Sequence, residues 1–373
     1  MPYGPTRIFL TVEPEELLCV KDPETKTWIT DYPVDKHARL PESLKRVIVR
    51  VDLRLALDQR ASNDAMKTLR GELPEGCAMN VQVMSPKSAQ NHFRQLALGE
   101  TLPTEGGPVA DATVIVLMKS TCHPFIDLLS GLGETAYPVG GSGLLESIDH
   151  YLAGEEERAV DLLLDPLKET ESNIMIALVD GGNRETTTLT RYHVEQIRQM
   201  YSSYHESNQT RIPDGATALI GGLGGETADS VPSVGIPYML SALSTSRFEV
   251  AGFVGMWGQP TIDLPLFASA NLPERELKSK IESRFDWHDL VLYMMRQVRS
   301  DERTRLVTSL PPTLVSKILR WRVLGTGSDL LRSLRRSVQG EFKLAIVRDL
   351  SLVFVPRRSE HGEAKQENQD RNA

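Results

Sequence analysis

The hydrophobic rhythm of the chain changes about a third of the way along. RVIVRVDLRLAL (46–57) alternates strictly, with Val49, Val51, Leu53, Leu55 and Leu57 on one side and Arg50, Asp52 and Arg54 on the other. That period of two is the pattern of a half-buried strand. MNVQVM (79–84) and ATVIVLM (112–118) continue it, and RIFLTV (7–12) is a short β-branched run. ELLCV and TWIT flank KDPETK, which predicts a hairpin built on Asp22-Pro23. A helix is expected over 88–98, followed by the loop LGETLPTEGGPVAD.

From about residue 123 the spacing becomes helical. GLLESIDHYLAG, EEERAVDLLLDPLKE and RYHVEQIRQMYSSYHE each place apolar residues three and four apart. NIMIALV (173–179) fits either a strand or a buried helix. After Pro237 the chain reads as almost continuous helix, through YMLSALSTSRFEV, LPERELKSKIESRF, DWHDLVLYMMRQVRSDERTR, PPTLVSKILRWRV and SDLLRSLRRSV. The expected fold is mainly α with a β-rich (α+β) N-terminal part, in two lobes. Residues 1–120 form the strand-rich region, 121–228 an acidic helical region completing the N-terminal lobe, 229–356 a basic helical C-terminal lobe, and 357–373 a disordered tail.

Composition narrows the function classes. With 373 residues, 40% hydrophobic and 25% charged, the chain has the make-up of a soluble globular protein. No stretch has the ~18 consecutive apolar residues of a membrane span, and the N-terminus does not read as a secretory signal. The expected location is therefore cytoplasmic or nuclear. Cys19, Cys77 and Cys122 are scattered and odd in number, which argues against a disulfide framework. Cys122-His123 lacks a second ligand pair at zinc spacing, so neither a metal nor a cofactor is expected. Charge is unevenly spread: residues 121–270 carry 7 Lys+Arg against 20 Asp+Glu, and 271–358 carry 18 against 10. Such asymmetry points to a polyanionic partner or to pairing of acidic and basic faces between copies.

Two glycine-rich stretches raise the possibility of an enzyme. ALIGGLGGETADS (218–230) places Gly221, Gly222, Gly224 and Gly225 after an apolar run. It has no Lys after the last glycine and does not match G-x-G-x-x-G, and Glu226 and Asp229 would repel a phosphate. Its glycines are read as a hinge. VDGGNRETTT (179–188) resembles the Asp-Gly-Gly-Thr phosphate turn of sugar kinases and actin-like ATPases, though mid-chain. The two segments 180–188 and 221–229 remain the alternative of a nucleotide- or phosphometabolite-binding enzyme. SGLGETAYPVGGSGLLESI (130–148) echoes the second stretch, as a glycine-rich helix connection. His123, His150, His193 and His205 form no H-x-x-x-H pair, and no catalytic residue is assigned.

Arginines concentrate on the last predicted helices. Arg296, Arg299 and Arg303 fall at i, i+3 and i+7, a stripe spanning roughly 10 Å at ~1.5 Å per residue. Lys317, Arg320 and Arg322 follow, and Arg332, Arg335 and Arg336 sit opposite Leu331, Leu334 and Val338. These stripes suit successive phosphates of a nucleic-acid backbone. They equally suit solvated faces that pair with the acidic middle of the same or a neighbouring chain.

TWITDYPVDKHARLP and STSRFEVAGFVGMWGQ (244–259), within this layout, resemble the nucleoproteins of negative-strand RNA viruses, in a rhabdovirus-like arrangement. The resemblance implies a non-enzymatic, self-assembling protein whose helical lobes clamp single-stranded RNA without sequence preference. Arg247 would be a groove residue and the arginines of 296–336 phosphate contacts. The N-terminal arm (1–15) and the tail after Arg358 would be exchanged between neighbours in a homo-oligomer. A matrix- or capsid-type protein assembling by charge complementarity is the other structural reading.

Overall fold

The computed structural model describes residues 2–3, 6–7, 10–21, 42–52, 59–84, 112–118, 124–137, 139–168, 173–179, 189–192, 196, 198–199, 212–213, 215–222, 232–244, 248–255, 264–298, 304–316 and 321–350. Its described elements form two parallel sheets with helices between and around them. The first sheet contains β4 (Arg46–Asp52), β5 (Ala78–Met84), β6 (Ala112–Met118), β7 (Asn173–Val179) and β8 (Leu189–Tyr192) in the order β5-β4-β6-β7-β8. Only β8 runs antiparallel to its neighbour. Its connecting helices are α1 (Gln59–Glu72) and the trio α2 (Pro124–Ala136), α3 (Ser142–Ala153) and α4 (Glu156–Lys168).

The second sheet combines β3 (Leu17–Lys21) with five later strands: β9 (Ala218–Gly222), β10 (Val250–Gly255), β11 (Thr304–Thr308), β12 (Arg322–Leu324) and β13 (Leu344–Val347). All six are parallel, in the order β12-β11-β10-β9-β13-β3. Between them lie α5 (Pro232–Ser244), α6 (Leu264–Ser269), α7 (Glu274–Ser283), α8 (Trp287–Gln297), the single turn α9 (Pro312–Leu314) and α10 (Gly327–Ser337). A two-residue pair, β1 (Pro2–Tyr3) with β2 (Thr6–Arg7), stands apart.

Strand order explains how both faces of the second sheet are covered. From β9 the chain steps outward through β10, β11 and β12, then returns to pair β13 on the other side of β9. Right-handed crossovers therefore put α5 to α9 on one face and α10 on the other. Packing agrees. Leu219, Ala251, Phe253, Leu306, Ala345 and Val347 join one large core with α2 to α8, while Ala218, Ile220, Val254, Val307 and Ile346 meet Leu330, Leu331 and Leu334 of α10. The large core also takes in Ile115 of β6, so both sheets share it.

Two strand glycines are set by leucines packed on the second sheet, one from α10 and one from the segment after β13. A Cβ on Gly252 would stand 2.6 Å from Leu330 Cδ1, and one on Gly221 would stand 2.5 Å from Leu350 Cδ1. Each is a place where a leucine lies directly on the strand backbone. Another close approach ties the helices of the two halves: a Cβ on Gly133 of α2 would stand 2.5 Å from the Phe285 ring.

The expectation of a mainly α protein with a helical C-terminal lobe is overturned by the six-stranded parallel sheet. A strand buried on both faces has no polar side to alternate, so ALIGG, VAGFVG and LAIV are uniformly buried and read like pieces of core helix. The run from Asp286 to Arg305 illustrates this, because helix stops at Gln297 and strand begins at Thr304. PTLVSKILRWRV likewise resolves into one turn of helix and β12. NIMIALV is strand β7, and Arg191-Tyr192 belong to β8 rather than to a helix. The alternating strands over 46–52, 79–84 and 112–118 form as read, and so do the helices α3 and α4. ELLCV becomes β3, but its observed partner is β13; TWIT and the helix expected at 88–98 lie outside the described residues.

Candidate active site

Open parallel sheets take ligands beyond the carboxyl ends of their strands, where strand order reverses. The first sheet reverses between β4 and β6, and the second between β9 and β13. The residues that follow β4 and β6 in sequence lie outside the described residues, so the second sheet supplies the geometry.

At that reversal the last aligned row runs Lys21, Val347, Gly221 across β3, β13 and β9. Opposed residues of neighbouring strands share a face, and Val347 belongs to the core under α5 and α8. Beyond the row, the Leu350 N–H donates to Gly222 O at 2.8 Å and the Arg348 N–H donates to Lys21 O at 3.0 Å. These two bonds hold the segment after β13 between its neighbours. Asp349, the residue between those donors, is 7% exposed. A carboxylate this buried at a strand end is uncommon, because desolvation of the charge must be offset locally.

The helices bring more polar groups to the same edge. Five residues separate Ser244, the end of α5, from Val250 at the start of β10. The C-terminus of α5 is therefore near the amino end of the sheet and its N-terminus near the carboxyl edge, one helix length away. The same reasoning applies to α8, and Trp287 Nε1 donates to Ser233 O at 3.1 Å, joining the two N-termini. Asp286 caps α8 by accepting from the backbone N–H groups of His288 and Asp289.

Behind this cap is an ionic cluster. Lys280 Nζ lies 2.8 and 2.7 Å from the two carboxylate oxygens of Asp289 and donates to Ser269 Oγ at 3.0 Å. Arg284 approaches Asp286 at 3.6 Å and Asp289 at 4.0 Å, and His288 is fully buried beside them. On the first-sheet side of the contact between the halves, Arg50 of β4 pairs with Glu134 of α2 at 3.4 Å. Burial raises the Glu134 carboxyl above its usual range; Arg50 opposes that shift and Asp286 adds to it. Asp149 of α3 accepts from Tyr293 of α8 at 2.6 Å, and burial first, then that bond, push the phenol upward.

The residues singled out from sequence are dispersed. Gly221 and Gly222 are buried in β9, while Gly224 and Gly225 lie outside the described residues. Arg247, Arg299, Arg303, Lys317 and Arg320 also lie outside them. Arg296 donates to Ala270 O at 2.9 Å. Arg322 is an exposed residue of the edge strand β12. On α10, Arg332 meets Asp329 at 3.4 Å, Arg335 pairs with Glu16, and Arg336 is exposed. The glycine echo at 130–148 forms the end of α2 and the turn into α3, unlike the strand end at 221. Among the described residues no three His, Cys, Asp or Glu side chains converge to hold a metal, and no helix is long and apolar enough to cross a membrane.

Asp349, Lys280 and Asp289 were not distinguishable by sequence pattern. Their significance comes from strand order and burial, which no local motif encodes.

No protein-family model matches the chain, and no curated protein matches its sequence. Among solved structures, the lactate racemase apoprotein from Thermoanaerobacterium thermosaccharolyticum matches 96% of this chain and 99% of its own, with a TM-score of 0.60 and 10% identity. A protein from Thermotoga maritima matches 85% of this chain and 94% of its own at a TM-score of 0.45 and 10% identity. The fold is thus that of the racemase over nearly the full length. This overturns the likeness to viral nucleoproteins, and with it the non-enzymatic, RNA-encapsidating reading and the capsid alternative. The enzyme alternative drawn from the glycine stretches is the better supported.

Proposed function

We propose that the protein is an enzyme of the racemase or epimerase type, acting on a short 2-hydroxy acid. The observation that carries this reading is the end-to-end fold correspondence with a lactate racemase. Strand topology supports it. Both glycine-rich segments begin at the carboxyl end of a strand, 180–188 after β7 and 221–229 at the end of β9, which is where α/β enzymes hold their ligands.

Inverting a hydroxyl-bearing carbon requires that its hydrogen leave one face and return to the other. The carboxylate and the hydroxyl must stay fixed meanwhile, so the site needs a cation and a hydrogen-bond acceptor at set positions. The comparison structure is an apoprotein, a form without its bound group. No described residue of this chain is assigned to such a group.

The test is enantiomer interconversion. D-lactate and L-lactate, and the 2-hydroxybutyrates, are incubated separately with the full chain, in extract of expressing cells and after purification, and resolved by chiral chromatography. Formation of the opposite enantiomer at a rate proportional to protein is expected. Conversion of none of these acids in either preparation overturns the reading.

A further inference from the structure

We propose that Arg322, Arg336 and the Ser333 hydroxyl form a binding site for a phosphate group, where β12 meets α10 on the outer face of the second sheet. The site lies away from the carboxyl edge and does not depend on the racemase reading.

Its floor is Arg305 of β11. Side chains alternate along a strand, and Val307 meets α10, so Arg305 is turned to α10 as well. Its Nε donates to Ser333 Oγ at 3.1 Å, its Nη2 to Ser337 Oγ at 3.3 Å and its Nη1 to Thr304 O at 3.1 Å. The residue is 7% exposed, and burial first, then the charge of Arg322, hold its pKa below the usual arginine value. Arg322 stands directly opposite Arg305 in the β11/β12 register, one strand spacing of about 4.8 Å away on the same face. Like charges so opposed destabilise a sheet. An anion held beside them offsets that repulsion.

The donors are on the solvent side of this floor. Arg322 is exposed and has no bonding partner among the described residues. Ser333 Oγ accepts from Arg305, while its own O–H has no acceptor among the described residues. Accepting from a guanidinium polarises that O–H and strengthens it as a donor. Arg336 follows Ser333 by three residues and so shares its side of α10; it too is exposed and without a partner among the described residues. The bond from Arg305 to Ser333 sets the helix level with the Arg305–Arg322 row. Asp329, one turn earlier on this side, is already engaged by Thr326 Oγ1 at 2.7 Å and by Arg332 at 3.4 Å.

Donors from the strand, the helix flank and the helix crest approach from three directions. Three oxygens of a tetrahedral anion can meet them, whereas a planar carboxylate has only two. Two guanidiniums beside a buried third also favour a doubly charged group.

The experiment is calorimetric titration of the full chain at constant ionic strength with inorganic phosphate, methyl phosphate and acetate. Wild type is expected to bind one phosphate, and acetate at least about tenfold more weakly. Arg322→Gln and Ser333→Ala should each weaken phosphate by about tenfold or more, the scale of a hydrogen bond to a charged group. Arg332→Gln, which removes a cation of the same helix already paired with Asp329, should leave it unchanged. Methyl phosphate bound as well as phosphate identifies a phosphomonoester as the ligand, and its rejection identifies the free ion; either upholds the site. If Ser333→Ala does not fold, Arg322→Gln, at an exposed position, carries the test. Absence of phosphate binding by wild type overturns the assignment. So does an affinity unchanged in Arg322→Gln, an equal loss in Arg332→Gln, or acetate bound as tightly as phosphate.

Discussion

The outer face of α10 and the carboxyl edge of the second sheet invite opposite expectations. The helix face is dense in arginine, and the sheet edge shows only short apolar runs and glycines. In the structure the helix charges are largely engaged locally: Arg335 with Glu16, Arg332 with Asp329 at 3.4 Å. Arg332 is 63% exposed, so its pair is of the kind worth little. At the sheet edge, Asp289 is 1% exposed and Asp349 7%. Charge density along a sequence is therefore a poor guide to where charge matters. Burial sets its energetic weight, and topology sets its place.

Breaking the comparison at its strongest point means removing Lys280. Lys280→Met leaves the Asp289 carboxylate buried without its ammonium, and stability should fall by about 3 kcal/mol, the lower end for a broken buried pair because Lys280 is itself partly exposed. Urea unfolding measures this. A loss under ~1 kcal/mol would put Asp289 in the same class as the pairs on α10.

A smaller effect is expected at the strand glycines. Gly252→Ala places a methyl against Leu330 and Gly221→Ala places one against Leu350. Each should cost about 1–3 kcal/mol by overpacking, read as a lowered midpoint at unchanged m-value. Gly340→Ala is the control, since a Cβ there meets nothing within 4 Å.

Glu134 sharpens the comparison through pH. Its folded-state carboxyl is raised, chiefly by burial. Its contribution is fully present below the unfolded pKa and is lost as pH rises through the higher folded value. The melting temperature of wild type relative to Glu134→Gln should therefore fall on going from acid to neutral pH, with the change lying above the ordinary carboxylate range. A pH-independent difference would show that Arg50 fully offsets the burial.

The least effect belongs to α10. Arg332→Ala and Arg336→Ala should each change stability by no more than about 0.5 kcal/mol. Arg335→Ala should cost more than either, because Arg335 is held by Glu16 of the segment leading into β3.

Much of the first sheet was legible because its strands carry a recognisable signature. Val47, Val49 and Val51 are buried while Arg50 reaches Glu134, so the alternation of 46–52 survives folding intact. Helices α3 and α4 were readable for the same reason, having one apolar stripe and one polar face. The second sheet was not, since β9, β10 and β13 are apolar at every described position and have no period to read.

By itself, then, the sequence determined the elements with one wet face, the uneven charge, and the absence of a long apolar span. Only the tertiary structure decided that the apolar runs of the second half are strands. It also recruited β3 from near the N-terminus to β13, over three hundred residues later. The reason is physical: a strand buried on both sides is specified by what packs against it, and its neighbours come from distant parts of the chain. Strand pairing likewise sets Arg305 opposite Arg322, a juxtaposition that no local pattern contains.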